Sequence, residues 1–148
     1  MTLAHLSSRR LFHRSMLVLV VSFAGVLASG GASANTLFDV SATCSGGGQL
    51  CNNIATFQHT IMLGGPGQAK FTPGSLTCSN FRVHILVDGT EVAVTSFVGA
   101  GGNTGFVDIG VISAGPHTFG VQAEGQVSGC NVGTLLSWAG KVRLQPAP

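Results

Sequence analysis

The chain has 148 residues, a formal charge of +2, 22 glycines, four cysteines and only 8% charged side chains. So few charges leave no electrostatic footprint for nucleic acid and no basic stripe for an anionic membrane surface. The length suits one domain with a real core.

Arg9, Arg10 and Arg14 precede an apolar run of thirteen residues, 16–28, and Ala32-Ser33-Ala34 offers small residues at a cleavage position. This is the layout of an export signal, so residues 1–34 are expected to be removed. The run is shorter than the roughly 20 residues that cross a bilayer, and no stable membrane insertion is expected after cleavage. Residues 35–148 then keep Lys70, Arg82, Lys141 and Arg143 against Asp39, Asp88, Glu91, Asp108 and Glu124, a formal charge of −1. Ser8-Arg9-Arg10-Leu11-Phe12-His13-Arg14 resembles the twin-arginine export signal in its arginines and Phe12 and departs from it at His13 and Arg14. The strongly apolar run and the expected disulfides favour the general secretory route. A secreted or periplasmic protein is expected.

Cys44, Cys51, Cys78 and Cys130 all follow the signal. An even number in a small exported chain reads as two disulfides. Of three pairings, Cys44–Cys51 with Cys78–Cys130 is expected, because the flexible Ser-Gly-Gly-Gly-Gln-Leu segment lets the short loop close. The cysteines lack paired C-x-x-C spacing, and no metal or other cofactor is expected.

Helix signals are almost absent beyond residue 35, where glycine is too dense for long helices. Short apolar runs alternate with period two instead. Strands are expected over Leu37–Thr43 and Ala55–Leu63, with a short one near Ser75–Cys78. Phe81 to Val98 should fold as a hairpin about Asp88-Gly89, which suits a turn with positive φ at both central residues. That turn pairs Val87 with Thr90, Ile85 with Val92 and Val83 with Val94. On the other face it pairs Leu86 with Glu91, His84 with Ala93 and Arg82 with Thr95. Phe106–Ser113, His117–Glu124 and Val132–Leu144 complete the set. In the last of these Val132, Leu136, Trp138, Val142 and Leu144 are expected to share a face, with a bend at Gly140. Leu63-Gly-Gly-Pro-Gly-Gln, Val98 to Gly105 and Gly125 to Gly133 read as glycine-rich connections, and residues 145–148 as a frayed tail. About seven short strands in one domain fit an all-β, two-sheet antiparallel sandwich of immunoglobulin-like or jelly-roll type.

Chemistry is sparse. No Gly-x-Ser-x-Gly elbow presents a serine, and oxidised cysteines offer no thiolate. Gly115-Pro-His117-Thr-Phe119-Gly-Val121-Gln is similar to the Gly-x-His-Gly-Phe-His-Val-His segment of copper–zinc superoxide dismutases. The positions of two copper ligands fall on Gly120 and Gln122, which removes that chemistry. Phe81 to Val92, with the later Ala-Gly-Pro-His-Thr-Phe, resembles the rhythm of jelly-roll carbohydrate-binding modules. Such modules stack sugars on exposed Tyr or Trp; here Tyr is absent and Trp138 is expected in the core.

These features point to an exported, non-catalytic protein that works by contact, as a surface, matrix or accessory binding module. Its partner would be a surface, a protein or a glycan, and self-association through strand edges is compatible with it. Asn103 and Thr104 in the Gly99–Gly105 loop, with Asp108 on the following strand, are the expected ligand contacts. The alternative is a carbohydrate-binding module. A further alternative is a metal-dependent enzyme or carrier using His59, His84 and His117.

Overall fold

The computed structural model describes residues 36–148; the expected export signal lies outside them. The strands are β1 Thr36–Thr43, β2 Ala55–Ile61, β3 Gly65–Pro73, β4 Phe81–Val87, β5 Thr90–Val94, β6 Phe106–Ile112, β7 Gly115–Gly125 and β8 Ser137–Pro146. They form two antiparallel four-stranded sheets, a first of order β1-β8-β3-β6 and a second of order β2-β7-β4-β5. The expected all-β sandwich is what the chain forms, because alternation gives each sheet one apolar face to bury.

Both sheets contribute to the core. Phe71 and Val142 come from the first, and Phe81, Val83, Ile85, Phe119 and Val121 from the second; all are nearly inaccessible. Phe38 of β1 stacks on Phe57 of β2 at 4.0 Å between ring centroids, and Phe57 stacks on Phe119 at 5.5 Å. Each large side chain so buried contributes roughly 1.5–3 kcal/mol. Both expected disulfides, Cys44–Cys51 and Cys78–Cys130, are present. The short one ties the end of β1 to buried Cys51, whose N–H donates to Ala123 of β7, so it joins the two sheets.

The hairpin keeps its turn and changes its register. Asp88 and Gly89 take φ of 50° and 82°, and Val87 pairs with Thr90 and Leu86 with Glu91 as expected. The ladder then slips: Ile85 meets Ala93 and His84 meets Val94, in place of the expected Ile85–Val92, His84–Ala93 and Val83–Val94 pairs. One extra residue on edge strand β5 makes a bulge, a usual feature of sheet margins. Thr95, not Val94, consequently turns inward beside Val83. It is 5% exposed, and its Oγ1 accepts the Val83 N–H at 2.9 Å.

Strand β3 was expected to be partly connection. Gly67, Ala69, Phe71 and Pro73 are its buried face, alternating with Gln68, Lys70 and Thr72. The glycine-proline cluster hid it; Gly67 packs closely, and a Cβ there would stand 3.2 Å from the Ile109 side chain. The strand expected near Ser75–Cys78 is a turn, closed by Thr77 N–H to the Gly74 carbonyl at 3.2 Å. Val132 and Leu136 precede β8 and are 90% and 71% exposed, so they do not share the inner face of Trp138, Val142 and Leu144. Gly140 stays in register between Val40 and Pro73, and only a glycine fits there, since a Cβ would strike the Phe71 ring and the Thr72 carbonyl. The expected tail is also held: Gln145 pairs with Gln68, and Ala147 N–H donates to Pro66 O at 2.9 Å.

Candidate functional site

Two loops meet at one end of the sandwich. Residues 74–80 leave β3 and enter β4; residues 126–136 leave β7 and enter β8. The Cys78–Cys130 bridge fastens one to the other. Gly129 allows their close approach: its φ is +55°, and a Cβ would overlap the Cys78 carbonyl. Asn131, 4% exposed, pins the second loop from within. Its Nδ2 donates to Gln49 Oε1 at 2.7 Å and to Gln126 O at 3.1 Å, and its Oδ1 accepts from Gly133 N at 3.1 Å.

Between these loops and the start of β8 lies a cleft of about 370 Å³. Its walls include Leu76, Phe81, Leu135, Leu136 and Trp138, the disulfide, and the polar side chains of Thr77, Ser79, Asn131, Thr134 and Ser137. Among the described residues no charged side chain lines it. The aromatic backing is rigid: Phe71 meets Phe81 and Trp138 edge to face at 5.4 and 6.1 Å, and Phe81 lies 6.4 Å from Trp138. Among the described residues the hydroxyls of Thr77, Ser79, Thr134 and Ser137 have no hydrogen-bond partner. Trp138 is 5% exposed, and its Nε1 is the one buried side-chain polar atom among the described residues without a hydrogen-bond partner. Leaving a buried donor unpaired costs about 1–3 kcal/mol, and this nitrogen, with less than 1 Å² accessible, is shut behind the cleft surface rather than open to it.

The expected contact residues stand elsewhere. Thr104 is stitched to β3: its Oγ1 accepts the Phe71 N–H at 3.0 Å, and its own N–H donates to Phe71 O at 3.0 Å. Asn103 Oδ1 accepts the Gly105 N–H at 3.0 Å. Asp108 faces outward on the first sheet, accepting from Gln68 Nε2 at 2.9 Å. None of the three lines the cleft. Trp138 was expected only as core, and its unpaired nitrogen is a property of the folded environment.

The three histidines occupy three places, and among the described residues no group of three or more His, Cys, Asp or Glu side chains could hold a metal ion. His59 packs edge to face on Phe38 at 5.3 Å. His84 bridges Glu91 at 2.7 Å and Glu124 at 3.0 Å on the outer face of the second sheet, where Glu124 also receives Arg82 at 2.8 Å. The bond from Arg82, and then that from His84, hold the Glu124 carboxyl below its ordinary range.

His117 sits at the opposite end of the second sheet. Its Nδ1 is 2.7 Å from Asp88 Oδ2, and its Nε2 is 3.0 Å from the Ser113 carbonyl and 3.3 Å from Ser113 Oγ. The outline is that of an Asp-His-Ser triad, but the carbonyl changes the chemistry. A ring facing a carboxylate on one side and a carbonyl on the other is satisfied by protons on both nitrogens. It then has no lone pair with which to take the serine proton. The Asp88 bond, then that to Ser113, raise the His117 pKa; the His117 bond, then the Thr118 N–H, lower that of Asp88. This is a clamp between the β4–β5 and β6–β7 turns.

No protein-family model matches the chain, and no curated protein matches it. Among solved structures it is similar to a family 35 carbohydrate-binding module from an environmental isolate, at 18% identity and a TM-score of 0.47, over 76% of this chain and 97% of that one. It is also similar to a Podospora anserina β-(1,4)-mannanase that carries a family 35 module, at 16% identity and a TM-score of 0.43. That match covers 79% of this chain and spans only 27% of the mannanase. A third likeness is to the C-terminal family 6 module of a marine laminarinase from Zobellia galactanivorans, at 18% identity and a TM-score of 0.30, over 77% and 93% of the two chains.

Proposed function

We propose that the protein is a secreted, non-catalytic carbohydrate-binding module whose ligand is a neutral sugar held in the cleft between residues 74–81 and 130–139. The observation that carries this reading is an aromatic-backed cleft that, among the described residues, is lined by hydroxyls and apolar surface and by no charged side chain. Sugars present apolar C–H faces and many hydroxyls. They suit a site that offers ring and leucine surface beside neutral donors and acceptors. The free hydroxyls of Thr77, Ser79, Thr134 and Ser137 supply those groups, and the missing charge disfavours an anionic ligand there. Two disulfides suit an oxidising compartment outside the cytoplasm.

Calorimetric titration with a panel of neutral oligosaccharides tests the reading. At least one is expected to bind. W138F trims the indole surface that lines the cleft, and it should weaken that sugar about tenfold. N103A, outside the cleft, should leave the affinity unchanged. A panel with no binder, or a W138F variant that binds as the parent does, overturns the proposal.

A further inference from the structure

We propose that the outer face of the first sheet is a second binding surface, for a negatively charged polysaccharide, centred on Lys70 and Arg143. Lys70 of β3 and Arg143 of β8 are direct register partners. Their Cβ atoms therefore stand about 5 Å apart, and like charges placed opposite one another destabilise a sheet. The chain is poor in charge, with four cations after residue 35. Arg82 and Lys141 are ion-paired with Glu124 and Asp39. Among the described residues Lys70 and Arg143 have no carboxylate partner at all.

The two cations belong to one row that crosses the whole sheet: Leu37, Arg143, Lys70, Phe106. Leu37 is 55% exposed, and the Lys70 ammonium lies 4.9 Å from the centre of the Phe106 ring. The next row is neutral amide and acid, with Gln145 Nε2 donating to Gln68 Oε1 at 3.3 Å and Gln68 Nε2 to Asp108 Oδ1 at 2.9 Å. On the other side Lys141 holds Asp39 at 2.5 Å. The acids thus flank the row while the cations occupy its centre. A carboxylate or sulfate laid between Lys70 and Arg143 replaces repulsion with two charge-assisted bonds. Leu37 and Phe106 cover the adjoining apolar sugar faces. A thin chain along the row, about 14 Å from outer strand to outer strand, passes between Asp39 and Asp108, whereas a broad acidic protein surface would meet both. The sugar source of the anion is therefore favoured over an acidic protein.

The test is affinity of the secreted protein for heparin, which carries sulfate, and for polygalacturonate, which carries carboxylate, together with urea unfolding. Binding to either polymer, weakened by salt, is expected, and which one binds assigns the anion. K70Q and R143Q should each weaken it about tenfold. R143Q should also raise the urea midpoint, because the like-charge contact is relieved, whereas K70Q gives up the Phe106 contact as well; a pair held for stability would lower the midpoint in R143Q. W138F should not alter this binding, which keeps failure of the cleft reading distinct from failure of this one. Binding to neither polymer, unchanged affinity in K70Q and R143Q, or a lowered urea midpoint in R143Q overturns the proposal. So does equal, Lys70-dependent binding of polyglutamate, which would make the partner an acidic protein.

Discussion

The two ends of strand β4 are secured by opposite means. Near Phe81 the flanking loops are joined by a covalent bond, Cys78–Cys130, around an open cleft. Near Val87 the neighbouring turns are joined by an ionic clamp, Asp88–His117, with the Ser113 carbonyl behind the ring. The first tie is indifferent to pH and answers to reductant; the second is the reverse. A loop pair that must leave a space open cannot be held by packing across that space, and a bond spanning its rim does the holding instead.

The largest way to break this contrast is to remove the covalent tie. A C78S/C130S double variant frees a loop of 52 residues and should lose about 4 kcal/mol of stability in urea unfolding. Sugar binding at the cleft should fall with it, while amide exchange at Asp88 and Thr118 stays slow. The short Cys44–Cys51 bridge closes a loop of only seven and should yield about 2.5 kcal/mol when removed, so unequal losses check the chain-entropy account.

A smaller perturbation sharpens the comparison without touching sulfur. G129A places a Cβ against the Cys78 carbonyl at a φ of +55°, and backbone must move to admit it. We expect a loss of about 2 kcal/mol. A cysteine-to-cysteine link retained in mass analysis, with weakened cleft binding, would show that the loop path and not the bond alone shapes the site.

The smallest effect belongs to the clamp. His117 titrates above its ordinary 6.5, so its contribution is complete below that pH and fades as pH rises through the raised value. Asp88 titrates below its ordinary 3.8, so its contribution is complete above that pH and fades as pH falls through the lowered value. Urea midpoints should therefore be highest between about pH 4 and 6.5. H117Q should flatten the alkaline side of that profile and leave sugar binding alone. A profile unchanged by H117Q would mean that the clamp contributes nothing.

Much of the sandwich is legible in the chain, and the exceptions have physical reasons. Alternation located most strands, Asp88-Gly89 located the turn, and the glycine-rich spacer between Cys44 and Cys51 pointed to the correct pairing. The register beyond Leu86 was not readable, because a bulge on an edge strand costs little locally and leaves no compositional mark. Strand β3 was hidden by Gly65, Pro66 and Gly67, residues that usually punctuate; here Gly67 packs on Ile109 and the ladder shifts between Pro66 and Gln68. The cleft was visible only as a long connection containing Cys130. That Trp138 lacks a partner for its nitrogen is decided by what the fold fails to bring near it. The opposition of Lys70 and Arg143 needs a register between strands 73 residues apart.

Trp138 is the chain's single tryptophan, and the sequence contains no tyrosine. The protein therefore carries one natural fluorophore, placed at the proposed point of recognition. Its indole, buried and without a bonding neighbour, should emit at the blue edge of the tryptophan range. A polar ligand seated against the lining surface of the ring would change that emission. Occupancy could then be followed optically, in the unlabelled protein and in real time.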